Sequence, residues 1–175
     1  MNKVYLVGLP GAGKTHCGRW LAEKLGWKFE DLDHTIEKSM KQYVSNIFDA
    51  HGEDVFRQIE EEELKKTAKL SNTVISTGGG AAAFGGNMEW MQRNGLTVYI
   101  NTPLERIAGR ILQNAQKRPM FSGMNEPEIL VKLYDISEKR GEFYSRARLI
   151  WNKEVPSDRL YVAINQLISL YSARF

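Results

Sequence analysis

Short apolar runs alternate along this chain with longer stretches in which apolar residues recur at helical spacing. Val4 to Val7 reads as a buried strand, and Cys17 to Leu25 as a helix with Leu21 and Leu25 on one face. Gly26 stops that helix, and Trp27 to Leu32 predicts a second strand followed by a helix from Thr35 to Lys41. Asn46-Ile47-Phe48 precedes a break near Gly52, after which a charged helix runs from about Asp54 to Lys69. Thr73 to Ser76 and Leu96 to Ile100 predict the third and fourth strands, with a helix from about Asn87 to Arg93 between them, ended by Gly95. Thr102-Pro103-Leu104-Glu105 has the form of a capping box and predicts a helix from Pro103 to about Gln113. Asn114 to Pro127 is the longest stretch without periodicity. A long helix from Glu128 to about Ala147, a fifth strand from Arg148 to Trp151 and a last helix from Asp158 to about Ser172, capped by Ser157, complete the pattern. Five strands alternating with helices, without repeats, predict one α/β domain over residues 1–175: a parallel sheet covered on both faces.

Composition narrows the class of ligand. The 175 residues are 42% apolar and 26% charged, the balance of an ordinary globular protein with a substantial core. A net charge of +3 without any run of five or more Lys and Arg gives no reason to expect nucleic acid as a partner, and it suits an anionic ligand. No apolar run approaches the ~18 residues of a membrane span, and the first strand begins at once after Met1-Asn2-Lys3. The expected location is cytoplasmic. Cys17, the only cysteine, reads as a small packed hydrophobe.

The chemistry is concentrated between the strands. Gly8-Leu9-Pro10-Gly11-Ala12-Gly13-Lys14-Thr15 fits the P-loop pattern G-x-x-x-x-G-K-[ST] and sits between a strand and a helix, as that pattern requires. Its glycines let the backbone N–H groups and the helix dipole face phosphate oxygens. Lys14 then reaches the outer phosphates, and the Thr15 hydroxyl ligates the Mg²⁺ that bridges them. If Trp27 to Leu32 continues as a strand through Asp33, the pleat sends the Asp31 and Asp33 carboxylates to the same side; the alternative is a pair of helix-capping aspartates. Phosphoryl transfer has use for both, one near Mg²⁺ and one at the accepting hydroxyl. Arg57 and Glu60, three apart on a helix, lie side by side, so the carboxylate can fix the guanidinium. Gly78-Gly79-Gly80 directly after a strand leaves main chain open to close approach. The aperiodic stretch 114–127 has the length of a functional loop, and as a lid it would carry Arg118 over the phosphates. Arg140, Tyr144, Arg146 and Arg148 gather near the end of the long helix.

Taken in order, Gly8 to Thr15, Asp31-Leu32-Asp33, Phe48, Phe56-Arg57 with Glu60, Gly78-Gly79-Gly80, Arg118-Pro119 and Arg140 resemble the shikimate kinase family, small P-loop enzymes of aromatic amino-acid biosynthesis. The match runs from Val4 to about Leu149. The resemblance implies a nucleoside-monophosphate-kinase-like, three-layer α/β/α fold with strand order 2-3-1-4-5, and transfer of the γ-phosphate of ATP to the 3-hydroxyl of shikimate. It implies that Gly11, Ala12, Gly13, Lys14 and Thr15 hold ATP, with Lys14, Asp33 and Arg118 catalytic. Asp33 would hold the shikimate hydroxyls as base or positioner, and Asp31 would reach Mg²⁺ through water. Arg57 and Arg140 would clamp the shikimate carboxylate, Gly79 and Gly80 would offer backbone N–H groups to the substrate, and Arg110 would lie against the adenine. The family also implies a monomer. His16 departs from the pattern, standing where the family usually has a second hydroxyl residue, and 152–157 matches the usual adenine-side loop poorly. A kinase for a sugar acid such as gluconate or for a nucleoside monophosphate, and a P-loop binding module without turnover, are the competing readings.

Overall fold

A computed structural model of the chain describes residues 2–114, 119–152 and 157–172. In chain order the elements are β1 (Lys3–Val7), α1 (Lys14–Leu25), β2 (Lys28–Asp31), α2 (Leu32–Met40), α3 (Val44–Lys66), β3 (Thr73–Ser76), α4 (Asn87–Asn94), β4 (Leu96–Asn101), α5 (Leu104–Gln113), α6 (Glu126–Ser145), β5 (Leu149–Asn152) and α7 (Ser157–Ser172). The sheet has five strands in the order β2-β3-β1-β4-β5, every neighbouring pair parallel, and helices cover it in a three-layer α/β/α arrangement. The fold class and strand order expected from the sequence are therefore those observed.

The central strand explains the order. All five residues of β1 are buried, the pattern of a strand covered on both faces, and it pairs with β3 on one side and β4 on the other. Its core is continuous with Leu21 of α1, Ile36 of α2, Leu64 of α3, Ile107 and Ile111 of α5 and Leu133 of α6. In register, Leu6 of β1 stands beside Ser76 of β3, and Ser76 beside Asp31 of β2. The carboxyl ends of three adjacent strands thus meet at one edge. Ligands bind at that edge in open α/β sheets.

Two local readings are corrected. First, β2 ends at Asp31 and α2 begins at once at Leu32, so Asp33 stands in the first turn of a helix, not on a strand pleat. Asp31 caps that helix by accepting from the His34 N–H at 3.5 Å, as the capping alternative held. The break expected near Gly52 is present: α3 starts at Val44 and loses helical geometry at Gly52, whose φ of 79° and ψ of 175° kink the chain between two helical parts. Second, Thr102 does not cap α5, whose N-cap is Pro103 without a side-chain bond. The Thr102 hydroxyl instead donates to the Ala12 carbonyl at 3.0 Å, tying β4 to the P-loop. The capping box lies further on, where Asn125 and Glu128 bond each other's backbone and α6 starts at Glu126 with Pro127 in its first turn.

Candidate active site

The P-loop leaves β1 and enters α1 through Gly13, whose left-handed conformation (φ 91°, ψ 29°) turns the chain into the helix without the strain a β-carbon would bring. Gly11, Ala12 and Gly13 form the bend, closed by Ala12 N–H donating to the Leu9 carbonyl at 3.2 Å. The Lys14 ammonium folds back over this loop and donates to the carbonyls of Gly8 (2.9 Å) and Leu9 (3.0 Å). From the outer side, Arg110 places Nη1 3.2 Å from the Ala12 carbonyl oxygen.

One helical position later, the Thr15 hydroxyl donates to Asp31 Oδ2 at 2.8 Å and lies 3.5 Å from Ser76 Oγ. Thr15, Asp31 and Ser76 therefore form a cluster of hard oxygen donors at the ends of α1, β2 and β3. Ser76 was missed by the sequence reading; a polar residue closing a buried strand beside Asp31 is the signal that marks it.

Asp33, two residues after Asp31, turns its Oδ1 toward Gly78. Its partly buried carboxyl is held above the ordinary range, first by desolvation and then by the Asp31 charge, while Lys14 and Arg57 pull against both. Glu60 on α3 is fully buried. Burial pushes its carboxyl up to about 7 despite the opposing Arg57 charge, and Asp33 adds to the rise. Arg57 Nη1 donates to Glu60 Oε2 at 2.5 Å, and its Nε and Nη2 donate to Glu53 Oε1 at 3.2 and 3.0 Å. Burial by itself would lower the Arg57 pKa, but the Glu60 and Glu53 carboxylates more than offset this and raise it. The guanidinium also lies over the rings of Phe48 and Phe56, 5.8 and 5.3 Å from their centroids. Arg140, arriving from α6, reaches the same Glu53 oxygen at 4.0 Å. Glu53 is a further residue the sequence reading missed, although its position four before Arg57 would have placed it there.

Gly78-Gly79-Gly80 threads between these groups, and each glycine is confined by a different wall. A β-carbon on Gly78 would stand 2.2 Å from Glu60 Oε1 and 2.9 Å from Asp33 Oδ1. On Gly79 it would meet Pro10 of the P-loop at 2.8 Å, and on Gly80 the Arg57 Nη2 at 2.2 Å. The loop thus joins the phosphate side of the site to a cavity of about 260 Å³ lined by Glu53, Arg57, Gly80, Phe84, Lys139 and Arg140. Of the residues expected at the site, Lys14, Thr15, Asp31, Asp33, Arg57, Gly79, Gly80 and Arg140 converge on this edge. Arg118 and residues 115–117 of the expected lid lie outside the described residues.

A parallel sheet in this order, a P-loop opening its first helix and a carboxylate–guanidinium cluster across the edge define an ATP-dependent kinase of the P-loop class. Residues 10–168 match the family model described as shikimate kinase. A shikimate kinase from Parabacteroides distasonis is 40% identical over 154 residues, covering 88% of this chain and 89% of the relative. Among solved structures, a shikimate kinase from Bacteroides thetaiotaomicron superposes with a TM-score of 0.86 at 36% identity, covering 98% of both chains. One from Acinetobacter baumannii in complex with shikimate gives a TM-score of 0.86 at 34% identity, over 98% of this chain and 94% of that one. The chain belongs to the shikimate kinase family.

Proposed function

We propose that the protein transfers the γ-phosphate of ATP to the 3-hydroxyl of shikimate, giving shikimate 3-phosphate and ADP. The observation that carries this reading is the pairing of two guanidiniums, Arg57 and Arg140, around one carboxylate oxygen at the mouth of a cavity that Gly78 to Gly80 connects to the P-loop. A planar guanidinium matches a carboxylate bidentately, so an acidic, polyhydroxylated acceptor suits this cavity better than a neutral one.

In this reading Arg57 and Arg140 hold the substrate carboxylate, and the N–H groups of Gly79 and Gly80 face its hydroxyls. Asp33 receives or orients the proton of the attacking hydroxyl; its raised pKa brings it closer to the match that general-base catalysis favours. The new bond forms between that oxygen and the γ-phosphorus, and the bond to the β-phosphate oxygen breaks, so that ADP leaves. Gly11 to Gly13 cradle the phosphates, Lys14 swings from the Gly8 and Leu9 carbonyls to the outer ones, and Arg110 stands on the nucleotide side of the loop. Thr15 directly and Asp31 through water fit Mg²⁺, which takes oxygen ligands and keeps several waters; Ser76 adds a third oxygen beside them. When bound, that ion neutralises charge developing on the phosphates. Arg118 enters the reading from the sequence alone, as the arginine a lid over 114–127 would deliver.

The chain is read as one domain, monomeric and cytoplasmic, without a nucleic-acid partner. The modest net charge supports the last of these, and no helix among the described residues is long and apolar enough to cross a membrane. The decisive assay measures ADP release from ATP and Mg²⁺ with shikimate, gluconate and AMP offered separately against a no-acceptor control. Turnover with shikimate alone is the expected result. Turnover with gluconate or AMP instead would overturn the acceptor assignment and leave the phosphate site standing.

A further inference from the structure

Tyr144 is an aromatic residue at the centre of the site that the proposed reaction does not use. It stands on α6 one turn after Arg140 and is buried. Its ring stacks on that of Tyr99, with centroids 5.3 Å apart and planes 27° apart. Tyr99 in turn packs 3.3 Å from where a β-carbon on Gly8 would stand, at the start of the P-loop. The ring is therefore fixed by packing, and the hydroxyl has a defined place. It donates to the carbonyl of Gly79.

That bond does more than satisfy a buried hydroxyl. Gly79 C=O and Gly80 N–H belong to one planar trans peptide and point in opposite directions. Whatever holds the carbonyl sets the direction of the Gly80 N–H. Without side chains of their own, Gly79 and Gly80 have wide conformational freedom, so the peptide between them needs an external hold. Contacts at the two α-carbons, Pro10 against Gly79 and Arg57 against Gly80, limit translation of the peptide. Neither grips its carbonyl.

We infer that Tyr144 is a positioning residue for the acceptor: its hydroxyl fixes the Gly79–Gly80 peptide so that the Gly80 N–H is aimed into the cavity bounded by Arg57 and Arg140. The inference rests on the shikimate-phosphorylating reading of the site. Burial holds the Tyr144 hydroxyl up at about 12, so it stays protonated as a donor, while the positive charge of Arg140 pulls in the opposite direction. The Tyr144 hydroxyl donates to Gly79, outside the phosphate-binding bend at residues 11–13.

Tyr144→Phe keeps the ring on Tyr99 and removes only the oxygen. In the full chain, the KM for shikimate should rise about tenfold, the scale of one lost hydrogen bond to a binding donor, while the KM for ATP stays within about twofold. Tyr144→Leu, which also removes the ring, should lower the melting temperature where Tyr144→Phe does not. A shikimate KM unchanged in Tyr144→Phe would overturn the inference, as would an equal rise in both KM values, which marks general loosening. A Tyr144→Phe protein that does not fold assigns the hydroxyl to folding and overturns it too. Failure of the underlying reading shows earlier and elsewhere: the parent protein would then release no ADP in response to shikimate.

Discussion

Glu60 is bonded to Arg57 through Oε2 at 2.5 Å, while its other oxygen, Oε1, is buried without a hydrogen-bond partner among the described residues and faces Gly78 beside Asp33 Oδ1. Leaving a buried carboxylate oxygen unbonded costs free energy unless it carries a proton or meets a donor. Its raised pKa is the consequence of that placement.

The effect on stability has a definite sign. The Glu60 pKa is about 7 in the folded protein against 4.5 for the free side chain, so between these values the folded state binds the proton more tightly. This contribution to stability is complete below the unfolded value and is lost as pH rises through about 7. Glu60→Gln removes the titration. The melting temperature of the parent protein relative to Glu60→Gln should fall as pH is raised across that window, measured by thermal denaturation at fixed ionic strength. A difference independent of pH would show that Glu60 titrates normally.

Gly80 offers a way to disturb Arg57 without deleting it. A methyl group there would stand 2.2 Å from Nη2, and the guanidinium would have to leave its bonds to Glu60 and Glu53. Gly80→Ala should raise the KM for shikimate with little change in the KM for ATP. Arg57→Ala should do so more strongly, by about 2–5 kcal/mol if the lost pair is desolvated. It should also destabilise the fold, because Glu60 then remains buried without its cation. Steady-state kinetics with each substrate varied in turn check both, and an unaltered shikimate KM in Arg57→Ala would remove the clamp.

On the proposed reading, Asp33 serves the acceptor and not the nucleotide. Asp33→Asn should lower turnover by roughly 10²–10⁴, the usual worth of a positioned general base, while ATP affinity in a fluorescence titration stays near the parent value. Because burial and Asp31 raise its pKa, the acidic limb of the parent pH–rate profile should lie above the ordinary carboxylate range. The residual activity of Asp33→Asn should lack that limb. Undiminished turnover in the variant would take Asp33 out of the mechanism.

Local signals carried much of this structure. The apolar run at Val4 to Val7 and the P-loop pattern after it were legible because their meaning lies within about a dozen consecutive residues. Arg57 and Glu60 were legible as a pair for the same reason, being neighbours on one helix. The Asp31/Asp33 geometry was not. Whether the chain turns from strand to helix at Leu32 or continues depends on the burial of Leu32 and Ile36 against the core, which no local pattern records. Thr102 misled for a related reason: its hydroxyl had a better acceptor in Ala12, ninety positions earlier in the chain.

By itself, then, the sequence determined most of the elements, the parallel sheet they imply and the kinds of side chain available for phosphate and carboxylate. Each of these follows from spacing along the chain or from residue chemistry. Only the tertiary structure decided which groups share a wall. Glu60 Oε1 and Asp33 Oδ1 meet across Gly78, Pro10 rests on Gly79, and Tyr144 reaches Gly79 from a helix 65 positions away. Such contacts arise from packing helices onto both faces of a twisted sheet. They are set by distances between elements, and those distances are written in no single stretch of residues.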